Sequence, residues 1–287
     1  MVRTGWGDRI FDVVVNLLLA VLALVSLVPI LAVVAASVTP YSEVLKHGGI
    51  VLFPRQFTFD AYRQLWSYPR MLNAFKVTVY ITAIGTILNL LLTSLMAYPL
   101  SRSYLPGRKI IMSVLVISMY FYPGIIPRYW IVKTTGLINS IWAMIIPSLI
   151  STFNLMILVS YLQTLPNELF ESARIDGAGE FRIMWEIALP LAKPAIMVIG
   201  LLFSVGQWNS YLQPLFYVPN RDLWPLQPVI REILRATDAL EPDPTLTIPT
   251  VTMQMATIVF SSVPILVIYP FVQRHFTKGL LLGAIKG

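Results

Sequence analysis

Residues 13–42 read VVVNLLLAVLALVSLVPILAVVAASVTPYS, with no Asp, Glu, Lys or Arg in the stretch. A helix needs about 20 apolar residues to cross roughly 30 Å of bilayer hydrocarbon, and this run exceeds that. Five further runs lack all four charged residue types: Val77–Ser101, Ile110–Pro127, Thr134–Asn167, Pro194–Asn220 and Pro244–Gln273. They are too long, and alternate too little, to be strands of a membrane barrel. The pattern predicts an all-α integral membrane protein with six transmembrane helices. These lie near 13–37, 75–98, 109–131, 140–163, 194–216 and 250–275, in a single transmembrane domain over 1–287. Six spans place both termini on one side of the membrane.

Composition agrees. Of the 287 residues, 56% are hydrophobic and 12% charged, about half the charged fraction of soluble domains. A disordered chain, a fibrous protein and an ordinary soluble enzyme are excluded. With no Cys there is no disulfide scaffold and no thiolate metal site. The net charge of +7 points to positive-inside loops and anionic lipid, and not to nucleic acid, because no basic stripe accompanies it. The first run exceeds the apolar core of a signal peptide, and Asp8 and Asp12 stand in its leader, so it is expected as a retained span. The Lys and Arg residues divide almost evenly between the two sides. They are denser in the shorter loops that share a side with the termini, a weak bias towards cytoplasmic termini that charge counting alone does not decide.

Between the fourth and fifth runs, segment 164–193 contains LPNELFESARIDGAGEFRIMWEIALPLAK from Leu165 onward. Pro166 suits a first helical turn, and Glu168 and Glu171 suit the positive end of that helix. Leu165, Leu169, Phe170 and Ala173 share a face, and Gly177 fits a left-handed C-terminal cap. A second helix is expected from about Gly179, with Phe181, Met184, Trp185 and Ala188 at helical spacing and Pro190 at its end. Taken alone, this is a pair of short amphipathic helices, suited equally to lying on headgroups and to receiving a partner.

The spacing decides between them. Glu171-Ser172-Ala173, three residues, Gly177, nine residues and then Ile187-Ala188-Leu189-Pro190 resembles the E-A-A-x3-G-x9-I-x-L-P signature of membrane subunits of ABC importers. Ser172 stands where the signature has its first Ala. Ala97-Tyr98-Pro99-Leu100-Ser101-Arg102 with Pro106-Gly107-Arg108 is similar to the loop after the second span of carbohydrate-uptake permeases. Pro127-Arg128-Tyr129, Gly136-Leu137-Ile138-Asn139-Ser140 and Trp208-Asn209 are similar to other parts of that family. Gln273-Arg274-His275-Phe276 and Lys278-Gly279-Leu280 through Lys286-Gly287 resemble the tail of the smaller maltose-type subunit, in the subgroup serving oligosaccharides and polysaccharide fragments.

The resemblance implies a type I ABC importer permease fold in a bacterial inner membrane, with segment 164–193 as a cytoplasmic coupling-helix loop. It implies four kinds of partner: a second permease, giving a heterodimer; two ATPase subunits; an external solute-binding protein; and membrane lipid. Position by position, it makes Glu171, Ser172, Ala173, Asp176, Gly177 and Ala178 the ATPase-coupling residues. Lys278, Gly279 and Lys286 become a tail contact to the same ATPases. Segments 38–74 and 217–249 would face outward, towards the binding protein.

The chain is expected to be non-catalytic, with ATP and Mg held by the partners. No G-x-x-x-x-G-K-[ST] loop occurs, Gly107-Arg108-Lys109 lacks the preceding glycine frame, and His47 and His275 are far apart. None of the six runs holds an acid or base near its centre, which weighs against the alternative of a stand-alone secondary carrier or channel for a small polar solute. Sugars need amide and hydroxyl partners and flat aromatic faces. Gln207, Trp208, Asn209 and Tyr211, with Asn154 and Tyr120, are the candidates for lining the substrate path. Each has an ordinary reading beside it, as interhelical hydrogen bonding or an interfacial aromatic.

Overall fold

A computed structural model describes residues 6–49, 51–121, 123–235 and 251–284, and the described residues are overwhelmingly helical. In chain order the helices begin with α1 (Trp6–Ser37), α2 (Tyr41–Lys46), α3 (Asp60–Ser67), α4 (Met71–Ser101) and α5 (Arg108–Tyr120). Next come α6 (Ile125–Thr134), α7 (Trp142–Ile145), α8 (Thr152–Gln163), α9 (Glu168–Ile175) and α10 (Glu180–Ile183). The chain continues with α11 (Leu189–Leu191), α12 (Lys193–Trp208), α13 (Leu212–Tyr217), α14 (Leu226–Arg235) and α15 (Val251–Ala284).

Among the described residues, three segments are long and apolar enough to cross a membrane as single helices: Arg9–Ser37, Met71–Ser101 and Val251–Pro270. Up to three more spans exist if each of three bent pairs counts as one. Each of the spans expected over 109–131, 140–163 and 194–216, in which Pro123, Pro147 and Pro214 predict kinks, is divided. The first is divided between α5 and α6, where Pro123 supplies no N–H and Gly124 takes φ 73°. The second bends by 46° between Trp142–Ser148 and Thr152–Gln163, just past Pro147. The third is divided at Asn209–Tyr211, before Pro214 and not at it; the third bent pair is a different one, Glu180–Leu191 with Lys193–Trp208, bent by 80°.

Broken helices in a bilayer must find partners for the backbone groups they free. At the second break Asn89 of α4 does this. Its buried side-chain amide is surrounded by carbonyls, which orients its nitrogen towards those of Leu149 (3.0 Å), Ser148 (3.3 Å) and Gly85 (3.3 Å), shared between its two hydrogens. Ser151 then caps α8, its side chain accepting from the Asn154 N–H.

Contacts cluster into two compact units. In the unit of Met1–Met71 and Ile230–Val263, Ala36, Val44 and Val51 pack with Val251 and Met255. Trp66 meets Phe260 edge-on at 6.0 Å. In the unit of Leu72–Val229 and Pro264–Gly287, α4 serves two cores. Near its start, Val77 and Ile81 join Val132, Met144 and Tyr217. Near its end, Ala97 and Leu100 join Leu158, Phe170, Ile183 and Ile199. The second core fixes the 164–193 loop, and a polar cavity lies in the same unit.

Candidate functional site

The loop is built around Gly177. The N–H of Gly177 donates to the Arg174 carbonyl (3.0 Å) and that of Ala178 to the Ala173 carbonyl (2.9 Å), the paired bonds of a Schellman cap. That cap needs the left-handed backbone of Gly177, φ 81°. The helix after it is less regular than its spacing predicts. Beyond α10 the chain makes a π-turn over Met184–Ala188, which accommodates Pro190, a residue with no N–H to return to Glu186. Met184 and Ala188 are buried, whereas Phe181 and Trp185 are exposed and touch each other edge-on at 6.1 Å.

Two side chains the sequence reading did not single out hold this loop. Arg102, directly after α4, is 5% exposed. Its Nη2 donates to the Leu162 carbonyl at 2.9 Å and its Nε to Ser101 Oγ at 3.0 Å. Leu162 stands in the last turn of α8, where carbonyls lack helical partners. The guanidinium lies 3.9 Å from the centre of the Phe170 ring in α9 and 5.4 Å from that of Tyr98 in α4. One buried cation thus joins the ends of two long helices to the loop. Burial pulls its pKa below the ordinary Arg value.

Glu180 forms the second tie. One carboxylate oxygen accepts from Tyr98 (2.7 Å) and Tyr104 (2.8 Å), and the other from Arg174 Nε (2.8 Å). Arg174 also donates to the Tyr104 hydroxyl at 2.6 Å. Burial disfavours the Glu180 charge, but the bonds from Arg174, Tyr98 and Tyr104 outweigh it and hold the carboxyl down to about 2. For Tyr104, burial and then the bond to Glu180 push its pKa up.

The outer surface of the loop is different in kind. Glu171, Ser172, Asp176 and Gly177 are exposed, Ala178 is half-buried, and Ala173 is turned into the chain's own core. Ile175 is 85% exposed and Phe181 69%. In the tail, Lys278 and Gly279 lie on the backbone of α15, and Lys286 is outside the described residues.

The cavity measures about 600 Å³. Asn89 of α4 and Ser148, Ser151 and Asn154 around the second break line one part of it. Gln207, Asn209, Ser210, Tyr211 and Gln213 around the third break line another, and Arg128 of α6 a third. Gln207 is 5% exposed, and its Nε2 donates to Ser148 Oγ at 2.9 Å. Asn209 Oδ1 accepts from Gln227 at 3.2 Å. Of the six path candidates, Asn154, Gln207, Asn209 and Tyr211 therefore come together. Trp208 does not join them: it is buried and meets Phe75 edge-on at 6.3 Å. Tyr120, at the end of α5, is 82% exposed and does not line the cavity. Arg128 was legible as the charge that follows the third apolar run and in the Pro127-Arg128-Tyr129 motif, not as a cavity residue.

The family described as binding-protein-dependent transport system inner membrane component matches residues 1–281. Protein LplC of Bacillus subtilis (strain 168) is 39% identical over 285 residues, covering 98% of this chain and 96% of that protein. The polygalacturonan/rhamnogalacturonan transport system permease protein YtcP of the same organism is also 39% identical over 285 residues, covering 98% and 99%. Among solved structures, a chain in the crystal structure of a bacterial ABC transporter involved in the import of the acidic polysaccharide alginate superimposes with a TM-score of 0.87. It is 28% identical, and the match covers 95% of this chain and 98% of that one.

Proposed function

The chain belongs to the family of binding-protein-dependent transport system inner membrane components, and from that premise we propose how it works as the permease subunit of an ATP-driven importer. Its cargo is a carbohydrate, an oligosaccharide or polysaccharide fragment, handed over by an external solute-binding protein. The names of the polygalacturonan/rhamnogalacturonan permease and of the alginate importer support that cargo. The bent pairs α5–α6 and α7–α8 each complete one span and α12 supplies another, so that six cross a bacterial inner membrane with both termini in the cytoplasm. This permease pairs with a second, different one, and two ATPase subunits supply the energy.

The observation that carries the mechanism is the division of the 164–193 loop into a fastened side and an open side. Arg102 and Glu180 tie α9 and α10 to the ends of α4 and α8. Glu171, Ile175 and Phe181 are exposed, a mixed acidic and apolar surface suited to a cleft on an ATPase. Ser172, Asp176 and Gly177 belong to that surface, and Ala173 and Ala178 set its depth from beneath. Lys278, Gly279 and Lys286 provide the second ATPase contact. Closure of the ATPase dimer moves the docked loop, and the stiff ties carry the movement into the spans. Two packings of the bundle then open the cavity alternately to each side. Asn154, Gln207, Asn209 and Tyr211 line the passage. ATP hydrolysis belongs to the partners, and this chain binds no cofactor.

The test begins with a tagged chain extracted gently from its native membrane. An ATPase and a second permease should be recovered with it, and ATP-driven uptake by the assembly should be lost in Glu171→Lys, with the chain still in the membrane. A chain that comes out intact but alone, and transports without ATP, would replace this reading with that of a stand-alone carrier.

A further inference from the structure

We infer that Gln207 reads the cargo through its side-chain carbonyl oxygen, as a fixed acceptor for a sugar hydroxyl, and that Gly85 and Ser148 are the residues that position it; the inference rests on the carbohydrate reading above and deepens it. A side-chain amide ordinarily turns over to suit a donor or an acceptor. This one is held. Ser148 Oγ donates its single hydrogen to the carbonyls of Ile145 (3.0 Å) and Met144 (3.1 Å). Towards Gln207 it can therefore only accept, so the atom 2.9 Å from it is the amide nitrogen, Nε2. Turning the amide over would set two acceptors, Oε1 and the Ser148 Oγ, against each other.

Gly85 closes the other side. It is buried within the helical run of α4, where glycine is less stabilising than alanine. What requires it is the approach of Gln207. A Cβ at this position would lie 3.1 Å from Nε2, 3.2 Å from Cδ and 3.3 Å from Cγ of that side chain, closer than packed carbon atoms settle. Gln207 is 5% exposed, which leaves it little room to give way. Nε2 is thus the end enclosed by α4 and the second break. Oε1 is the end left over: Gln207 lines the cavity, and no donor among the described residues bonds Oε1. A fixed acceptor tells a hydroxyl from a group of similar size that cannot donate, because the mismatch leaves the acceptor unpaired.

The assembled importer, held in lipid nanodiscs without its binding protein, is titrated with maltotriose, arabinotriose and trigalacturonate. The trisaccharide that binds is then compared with its monodeoxyfluoro analogues, in which fluorine replaces one hydroxyl and cannot donate. One analogue should bind the wild type about tenfold more weakly, the range of a hydrogen bond left unmade, and that penalty should vanish in Gln207→Ala. Gly85→Ala should weaken binding of the parent sugar about as much as Gln207→Ala does, and the two changes together should weaken it no further. Gly85→Ala should also lower the melting temperature, and adding Gln207→Ala should recover part of the loss, because the new methyl group then has room. The absence of any weakened analogue, a penalty that persists in Gln207→Ala, or additive losses in the double variant would overturn the positioned acceptor and leave the carbohydrate reading standing. Failure of the wild type to bind any of the three sugars would overturn the carbohydrate reading and this inference with it.

Discussion

The Arg102 guanidinium lies 3.9 Å from the centre of the Phe170 ring, while its Nη2 bonds the Leu162 carbonyl. The relationship is mechanical as much as energetic. Phe170 is 1% exposed and Arg102 5%, so neither can move without the other or without opening the core at the end of α4. A flat cation against an aromatic face, with its edge occupied by a helix-end carbonyl, is a joint that resists both sliding and tilting. It makes α9 an extension of α8 and α4, as the coupling role proposed for this loop requires.

Removing the joint should therefore lower stability and transport together. Arg102→Met keeps the length of the side chain but leaves the Leu162 carbonyl without its partner. The expected cost is about 1–3 kcal/mol, read from thermal unfolding of the detergent-solubilised protein. Arg102→Lys keeps the charge and loses the flat face, and should lie between. Uptake should fall more steeply than stability in both. Wild-type uptake by Arg102→Met would show that the joint is not part of the lever.

Glu180 gives the loop a defined response to acid. Its folded pKa of about 2 lies below the ordinary 4.5, so its stabilisation is complete above about 4.5 and fades as pH falls towards about 2. Glu180→Gln lacks that contribution at every pH. The wild type should melt above Glu180→Gln at pH 6, and the gap should narrow by pH 3 and continue closing below it. The same gap at both values would mean that the ionised carboxylate is not what holds α10 to Tyr98, Tyr104 and Arg174.

How far these features could be read in advance depends on how local their causes are. Six charge-free runs located the apolar segments, because the need to exclude charge acts on each residue separately. Pro123, Pro147 and Pro214 marked kinks in three of the runs, but not where each helix stops or what supports the break. The break after Pro147 is supported by Asn89, on another helix, and nothing near Pro147 encodes that. The Gly177 cap was legible because cap and helix are contiguous. Arg102 was not: a cation after a span reads as solvated until Phe170 and Leu162 are seen around it. At the third break, sequence proximity misled. Gln207, Trp208 and Asn209 are consecutive, yet the helix ends there, and Trp208 packs on Phe75 while its neighbours line the cavity.

The position of Gly177 yields a prediction in which sterics and backbone strain separate. A Cβ built at this residue meets nothing within 4 Å, but φ is +81°. Gly177→Ala should lose about 1–2 kcal/mol through the left-handed backbone alone. Gly177→Asn should lose less, because its short polar side chain tolerates that region better. Hydrogen exchange over 168–183 is the direct measurement, with faster exchange expected in the Ala variant than in the Asn variant. Equal protection in both would argue that crowding by an unseen neighbour, and not φ, selects glycine.

Asn89 should prove more important to the shape of the cavity than to any contact made by its contents. Its amide nitrogen is committed to the carbonyls of Leu149, Ser148 and Gly85, so little of it remains to bind solute. Asn89→Leu nearly preserves volume but leaves the carbonyls at the second break unsatisfied in an apolar surrounding. That should cost about 1–3 kcal/mol. Freed of that tie, Ser148 should also lose register with Gln207, whose Nε2 donates to it at 2.9 Å. Asn89→Leu should thus lower both the melting temperature and the maximal rate of uptake for every accepted sugar alike. Gln207→Ala, which removes a group facing the cavity, should instead raise the half-saturating concentration with a smaller change in melting temperature. The contrast between the two variants, measured on one panel of sugars, separates a residue that holds the cavity open from one that lines it.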